Sequence, residues 1–305
     1  DVAIINDSDI WAVGEIHTKD TDQWNADSTK WIQPYNAVHW NGHKWKLKRI
    51  FINNYFYPLY VVFAFSEDDI WFGNLSMIHW NGNNTSFYTT PKNFGRINAM
   101  WGTSSNNFYV VGNNGNIAHY NGSKWTKIES GTDTNLKDIF GDKEGKNIFI
   151  TGNTDFKPTV LLKYNNNVLV KAIKYDNTHI NTSGIISGVI EGVWLTKNKL
   201  FTLTNFDLYR SSVEINGRGQ SMWGGNPADW GVSSIVGNAM NDILTCGIFG
   251  RIWHFNGISW KIYTDLINQT DRLVRVKTNG NIFVLVGYKY INAVEVYGLL
   301  RIGRR

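Results

Sequence analysis

The sequence predicts an all-β fold, a seven-bladed β-propeller built from four-stranded antiparallel blades. The main observation is a motif of histidine, aromatic residue, asparagine and glycine, whose first three copies are forty residues apart. Its copies span residues 39–42, 79–82, 119–122 and 254–257. The chain lacks the 3.6-residue periodicity of helices, and a repeat of about forty residues with four short strands is typical of a propeller blade.

Each copy of the motif predicts a β-hairpin. Asn-Gly between alternating apolar residues favours a two-residue type I′ turn, in which both central residues have positive φ. A tryptophan follows on the outgoing strand in three copies, as Trp45, Trp125 and Trp260, and Phe87 takes roughly that place in the second copy. The hairpin therefore supplies the third and fourth strands of a blade.

A second recurring element precedes the hairpin and predicts the second strand of each blade. It is a turn rich in Asp or Asn, followed by an apolar and aromatic run that ends in glycine. The copies span residues 9–14, 69–73, 107–112, 147–152, 242–247 and 281–287, with a weaker seventh copy at 199–204. A further apolar stretch before each copy predicts the first strand, which completes a unit of four strands.

These units predict one propeller domain over residues 1–305. The blades are expected at about 1–50, 59–90, 96–130, 136–175, 185–224, 231–266 and 272–305. The last blade has no room for a full fourth strand, so it is either three-stranded or closed by a strand from upstream. Because the chain begins with Asp1, we expect a processed protein or one part of a larger multidomain chain, and any membrane association would need a missing N-terminal segment.

Composition excludes several classes of function. The net charge is +5, but only 18% of the residues are charged and the lysines are scattered, which argues against a nucleic-acid groove. No apolar run approaches the roughly eighteen residues that span a membrane, so the sequence predicts a soluble protein. Cys246 is the only cysteine and is predicted to be a buried thiol, and no motif indicates a cofactor.

The four motif histidines are predicted to be structural rather than catalytic or metal-binding. Equivalent positions on different blades lie far apart, so His39, His79, His119 and His254 cannot easily converge on one ligand. We expect neutral imidazoles packed between sheets and hydrogen-bonded to the neighbouring blade. No metal site is predicted elsewhere, because the loop carboxylates match no calcium-loop spacing. These carboxylates are Asp20, Asp22, Asp27, Asp155 and Asp229.

The hairpin sequence Asn-Gly-x-x-Trp resembles a degenerate Asp-box of the BNR type. The whole unit is similar to the Asp-box and YCF48-like propellers of bacterial secreted and surface proteins. The resemblance implies a bacterial protein located outside the cell or on its surface. Sialidases share this fold, but no motif here identifies their three arginines, tyrosine nucleophile and acid residues, so their activity is not expected.

The long, irregular segments all fall on one face of the predicted propeller, which we call the long-loop face. It carries the connections between blades and the loops between second and third strands. Aromatic residues in these segments break the repeat and are predicted to bind a glycan or a protein. They include Trp24, Trp31, Tyr35, Phe56, Tyr57, Phe156, Trp230, Tyr288 and Tyr290. The alternative for these side chains is a lid or plug that folds over the ring.

The sequence favours a non-catalytic interaction module over an enzyme. The alternative function is a carbohydrate-active hydrolase or lyase, which would need two carboxylates about 5 to 10 Å apart at the mouth of the central channel.

Overall fold

The computed structural model confirms the predicted fold, a ring of seven antiparallel β-sheets. It describes residues 1–52, 55–154, 159–175, 184–223, 231–292 and 296–304. The innermost strands of successive blades pack against one another around the axis, and that of blade 7 packs against that of blade 1. No helix in these ranges is long and apolar enough to cross a membrane.

Blades 1 to 3 each have four strands, and the first strand in sequence is the innermost. Blade 1 contains β1 (Val2–Asn6), β2 (Asp9–Ile16), β5 (Tyr35–Trp40) and β6 (Trp45–Lys48). Blade 2 contains β9 (Val61–Ser66), β10 (Asp69–Gly73), β11 (Met77–Trp80) and β12 (Thr85–Tyr88). Blade 3 contains β13 (Ile97–Ser104), β14 (Asn107–Gly112), β15 (Ile117–Tyr120) and β16 (Trp125–Ile128).

Blades 4 to 6 repeat this order, and blade 7 has three strands. Blade 4 contains β17 (Leu136–Gly141), β18 (Ile148–Gly152), β19 (Thr159–Asn165) and β20 (Val168–Tyr175). Blade 5 contains β21 (Ile190–Thr196), β22 (Lys199–Thr204), β23 (Leu208–Ser212) and β24 (Gln220–Ser221). Blade 6 contains β25 (Val232–Ala239), β26 (Asp242–Gly247), β27 (Ile252–Phe255) and β28 (Trp260–Ile262). Blade 7 contains β29 (Asp271–Asn279), β30 (Ile282–Tyr290) and β31 (Val296–Arg304).

Two small hairpins extend the long-loop face near blade 1. One joins β3 (Gln23–Trp24) to β4 (Trp31–Ile32), and the other joins β7 (Phe51–Ile52) to β8 (Tyr55–Phe56). The first lies between the second and third strands of blade 1, and the second lies in the connection to blade 2. Single 3₁₀ turns occur at Asn113–Gly115 and Thr264–Leu266.

The core consists of separate apolar layers, one between each pair of adjacent blades. Val13 of blade 1 packs with Ile70 and Phe72 of blade 2, and Ile10 of blade 1 packs with Val284 of blade 7. Within the described residues no strand is shared between the first and last blades. Apolar packing joins them, together with a hydrogen bond from Nδ2 of Asn279 to the Ile5 carbonyl. Cys246 is fully buried in its layer, and burial raises its pKa to about 12.

The Asn-Gly connection differs from the predicted two-residue turn. Trp40 pairs with Trp45, so the loop has four residues, and only the glycine has positive φ. The side-chain oxygen of Asn41 accepts hydrogen bonds from the backbone N–H groups of His43 and Lys44. This Asx geometry holds the loop without left-handed backbone at the asparagine, and the other three copies repeat it.

Two constraints require glycine in this loop, a positive φ and a close approach to another turn, and Gly42 shows both. Its φ is +85°, and a Cβ atom there would lie 2.8 Å from Cβ of Ser8 in the turn between the first and second strands. The equivalent glycines of the other three copies make the same close approach. The motif therefore locks together the two turns at the short-turn face of each blade.

Candidate functional site

The four repeated histidines form one structural unit within their own blades. Each Nε2 lies 2.8 Å from a side-chain oxygen of the Asp or Asn that begins the second strand of the same blade. The pairs are His39 with Asp9, His79 with Asp69, His119 with Asn107, and His254 with Asp242. The sequence predicted a bond to the neighbouring blade. His119 makes such a contact as well, with 3.3 Å between its Nδ1 and Nδ2 of Asn167 in blade 4. Asn107 and its counterparts lie close to the histidine because they are on the adjacent second strand, two residues before the residue that pairs with it.

Aromatic rings lie beside three of these imidazoles, whereas Leu244 occupies that position beside His254. His39 stacks on Trp11 with 4.1 Å between centroids, and His79 stacks on Trp71 at 4.4 Å. Tyr109 takes the same place beside His119. The repeated histidines thus connect the second and third strands of a blade.

The predicted aromatic residues form pairs rather than one continuous surface. Trp24 and Trp31 face each other across the β3–β4 hairpin, with 5.9 Å between ring centroids in an edge-to-face arrangement. Trp24 is 57% exposed and Trp31 is 39% exposed, so both rings are open to a ligand. These two indoles do not fold back over the propeller as a plug.

Tyr35, Phe56 and Tyr57 lie on the same side of the molecule but in different surroundings. The guanidinium of Arg49 stacks on the Tyr35 ring, whose hydroxyl donates to Asp20. Phe56 contacts Phe51 across the β7–β8 hairpin, and Tyr57 is exposed. Tyr35 therefore has a structural partner, whereas Tyr57 presents an open ring.

Tyr288 and Tyr290 are neighbours at the end of β30, with 5.2 Å between ring centroids. They line a groove between blades 7 and 1, together with His17 of the blade 1 loop. Burial raises the pKa of Tyr288. The predicted residues Phe156 and Trp230 lie outside the described residues.

The loop carboxylates near Trp24 are engaged in local turns. Thr18 donates to Asp20, His17 contacts Asp22 at 2.6 Å, and these hydrogen bonds lower the pKa of both carboxyl groups. Thr29 likewise lowers the pKa of Asp27. Within the part of the chain that the structure describes, no cluster of three or more metal-ligating side chains occurs. Asp155 and Asp229 lie outside the described residues.

A polar pocket of about 390 Å³ opens on the long-loop face at the propeller axis. Its walls come from the start of the first strands and the end of the second strands of several blades. They include Arg96, Asn98, Asn113, Asn135, Lys137, Asn153, Glu191 and Arg275. We call this the axial pocket. None of the aromatic residues predicted as a site lines it.

Hydrogen bonds between blades fix the asparagine amides of the axial pocket. Nδ2 of Asn98 donates to Oδ1 of Asn113 and to the Leu136 carbonyl of the next blade. Nδ2 of Asn153 donates to the Ile190 carbonyl of the blade after that. The amides are therefore held in fixed orientations before any ligand arrives.

The cations of the axial pocket differ in how they are neutralised. Arg275 lies 3.3 Å from a carboxylate oxygen of Asp138 and 3.5 Å from one of Asp1. Arg96 stacks on the Tyr60 ring, and neither Arg96 nor Lys137 has an ion-pair partner among the described residues. These two side chains bring positive charge to the pocket, and the charge of Lys137 acts on the Glu191 carboxyl group.

Glu191 is the carboxyl group in the wall of the axial pocket. Desolvation by burial raises its pKa to about 7, although Lys137 and Arg272 act in the opposite direction. Asp138 lies near the pocket but does not line it, and its carboxylate accepts hydrogen bonds from Arg275 and from the Val193 backbone. The pocket lining thus contains one perturbed carboxyl group, whereas the alternative enzyme mechanism requires a carboxylate pair.

Sequence reasoning missed the axial pocket. The available signal was a polar residue beside an apolar one where each first strand begins, as in Arg96-Ile97-Asn98 and Asn135-Leu136-Lys137. A second signal was Gly-Asn at the end of three second strands, at residues 73–74, 112–113 and 152–153, of which the last two reach the pocket.

Comparison with known proteins supports the fold. No family model and no curated protein sequence matches the chain. The structure of YCF48 bound to D1 peptide is similar at a TM-score of 0.67, with 12% identity over 96% of this chain and 92% of that one. YCF48 from Cyanidioschyzon merolae matches at 0.65, with 13% identity over 94% of this chain and 92% of that one. The WD40 propeller domain of Doa1 also matches at 0.65, with 11% identity over 98% and 91%.

Proposed function

We propose that this chain is a protein-interaction module that binds an extended, carboxylate-bearing peptide segment in its axial pocket. The observation that carries the proposal is the pair Arg96 and Lys137, which have no ion-pair partner among the described residues, beside preoriented asparagine amides. Charge-assisted hydrogen bonds to a carboxylate are stronger than neutral ones. Both amide hydrogens of Asn98 are donated within the protein, so its Oδ1 is the atom that would accept from a peptide N–H group.

The comparisons are consistent with this proposal, since one similar propeller carries a peptide in its structure. Because that protein is only 12% identical, its ligand is not transferred to this chain. A location outside the cell or on a bacterial surface remains part of the proposal and rests on the sequence resemblance.

The test compares two peptide libraries on an array. One carries free carboxylates in Asp, Glu and the C-terminus, and the other has each carboxylate replaced by its amide. We expect binding to the first library and its loss in the second. Lys137→Glu should weaken binding about tenfold or more, because a hydrogen bond to a charged group contributes about 1.5 to 3 kcal/mol.

Lys143→Glu is the matched control. Lys143 is an exposed lysine in the turn between β17 and β18, on the short-turn face of the same blade. The Lys143→Glu substitution changes the net charge by the same amount as Lys137→Glu, so a general electrostatic effect would appear in both variants. Equal binding of the two libraries, or equal losses in the two variants, would contradict the proposal.

A second candidate function is glycan binding by the Trp24–Trp31 pair. The observation that favours it is the exposure of two indole rings at right angles on a projecting hairpin. Exposed indoles are suited to stacking on the apolar face of a sugar ring.

A further inference from the structure

A cleft of about 920 Å³ separates the outer parts of blades 1 and 2. Blade 1 contributes Trp11, His39 and Lys48, and blade 2 contributes Trp80 and Thr85. It opens between the outer strands, away from the axial pocket. We call it the inter-blade cleft.

The next interface in the ring shows what fills this position elsewhere. Between blades 2 and 3, the rings of Tyr88 and Trp125 pack beside Trp71, with centroids 5.0 and 6.3 Å away. Trp71 is consequently only 1% exposed, whereas its blade 1 equivalent, Trp11, is half-buried.

Strand register identifies the two residues that leave the inter-blade cleft open. Thr85 pairs with Trp80 as Trp125 pairs with Tyr120, so threonine stands where blade 3 has its tryptophan. Phe87, which the sequence placed there, pairs with Ile78 two residues further along.

Lys48 pairs with Ala37 in blade 1, and Tyr88 pairs with Met77 in blade 2, so Lys48 and Tyr88 occupy equivalent positions. A lysine therefore stands where blade 2 has a tyrosine. Two aromatic rings present at one interface are missing from the other.

His39 supplies a polar group beside this space. Its Nε2 lies 2.8 Å from the Asp9 carboxylate, so Nε2 carries the proton and Nδ1 can accept a hydrogen bond. In blade 6 the hydroxyl of Tyr263 lies 3.5 Å from Nδ1 of the equivalent His254. The backbone N–H group of Tyr263 donates to the Ile252 carbonyl, so Tyr263 continues the fourth strand of blade 6. It therefore occupies the position that Lys48 has in blade 1.

We propose that the inter-blade cleft binds a tyrosine or tryptophan side chain presented by a partner peptide. The ring would pack between Trp11 and Trp80, in the space that Tyr88 and Trp125 fill at the next interface. Its O–H or N–H group would donate to Nδ1 of His39. This second site needs no carboxylate, so it is tested independently of the axial pocket.

The probes are N-acetyl-tyrosinamide and N-acetyl-tryptophanamide, with N-acetyl-leucinamide as the apolar comparison. Binding is followed by NMR on the indole N–H signals of Trp11 and Trp80. We expect saturable shifts with the two aromatic probes and none with the leucine probe. N-acetyl-phenylalaninamide, which has the ring without the donor, should bind more weakly than the tyrosine probe.

In the Thr85→Trp variant the new indole should fill the cleft, so the aromatic probes should no longer shift the NMR signals. The melting temperature of this variant should be at or above that of the wild type. Thr126→Trp is the matched control, because Thr126 is an exposed outer-strand residue on the opposite side of blade 3. It should bind the probes as the wild type does. If Thr85→Trp does not fold, Lys48→Tyr fills the other half of the cleft with the residue found in blade 2.

Three results would overturn the proposal. They are equal shifts with the leucine probe, unchanged binding in the folded Thr85→Trp or Lys48→Tyr variant, and the absence of saturable shifts with either aromatic probe. Lys137→Glu should leave the aromatic probes bound, which separates failure here from failure of the axial pocket.

Discussion

Nε2 of His79 lies 2.8 Å from Oδ1 of Asp69, and the other carboxylate oxygen of Asp69 accepts a hydrogen bond from Ser105 of the next blade. One carboxylate therefore connects two strands within blade 2 and also connects blade 2 to blade 3. Because both groups are largely buried, losing the acceptor would leave a buried histidine N–H without a partner.

Asp69→Ala should lower the free energy of unfolding by about 2 kcal/mol, since it leaves buried donors unsatisfied. Asp69→Asn should cost less, because Asn107 makes the same contact with His119 in blade 3. Urea denaturation of both variants measures the difference. Equal destabilisation by alanine and asparagine would show that the hydrogen bond to His79 is unimportant.

The second prediction concerns Gly141, where neighbouring blades are in close contact. A Cβ atom there would lie 2.5 Å from the ring of Trp101 in the preceding blade. Gly141→Ala should therefore destabilise the protein by about 1 to 3 kcal/mol through overpacking. Thermal denaturation provides the measurement.

Gly14→Ala is the control for this change, because nothing lies within 4 Å of its added Cβ atom. It should alter stability by no more than about 0.5 kcal/mol. Similar losses in the two variants would mean that backbone freedom, rather than contact with Trp101, limits position 141.

The fold could be predicted because its determinants repeat. In blades 1, 2, 3 and 6 the second strand begins with Asp or Asn and the hairpin loop contains Asn-Gly, so four copies support the same conclusion. The predicted turn type was wrong because Asn41 satisfies two backbone N–H groups with its side chain, which the pattern Asn-Gly does not reveal. The position of Phe87 was also wrong. The loop of blade 2 has four residues as in the other copies, so the tryptophan position falls on Thr85 and Phe87 lies two residues beyond it.

The axial pocket could not be predicted in the same way. Arg96, Lys137 and Glu191 are roughly forty to fifty residues apart and belong to three different blades. Each one alone resembles an ordinary polar residue at a strand end. Only closure of the ring brings them to one cavity, and the raised pKa of Glu191 arises from burial in that cavity.

Glu191 predicts a pH dependence of ligand binding at the axial pocket. With a pKa of about 7, the carboxyl group is mostly neutral at pH 6 and mostly charged at pH 8. Binding of a carboxylate-bearing peptide should strengthen as the pH falls across this range, because a negative charge leaves the pocket. Glu191→Gln should bind with little dependence on pH. Titration by fluorescence anisotropy at both pH values measures this.

The same shift predicts a change in stability. The folded state holds this proton more tightly than the unfolded state, whose pKa is near 4.5. The contribution of Glu191 to stability is therefore most favourable below pH 4.5 and is lost as the pH rises through 7. Glu191→Gln should be more stable than the wild type at pH 8, by about 1 to 3 kcal/mol. An equal difference at pH 4 would contradict the assigned pKa.

The exposed indole pair tests the predicted aromatic surface. Trp24 and Trp31 contact each other on a separate hairpin, so replacing both with alanine should change the melting temperature little. Any loss of binding can then be attributed to the surface itself. A glycan array probed with the wild type and the double variant measures this. We expect glycan signals that depend on both indoles, because two rings at right angles can contact adjacent faces of a sugar.

Tyr57→Ala is the comparison for the double variant, since it removes another exposed ring from the same face. If Tyr57→Ala abolishes glycan signals as fully as the double variant does, the ligand covers the wider aromatic face rather than the hairpin. If the double variant keeps every signal, the hairpin takes no part in glycan binding. In that case the two indoles serve another purpose, and the axial pocket and inter-blade cleft remain as the candidate binding sites of the ring.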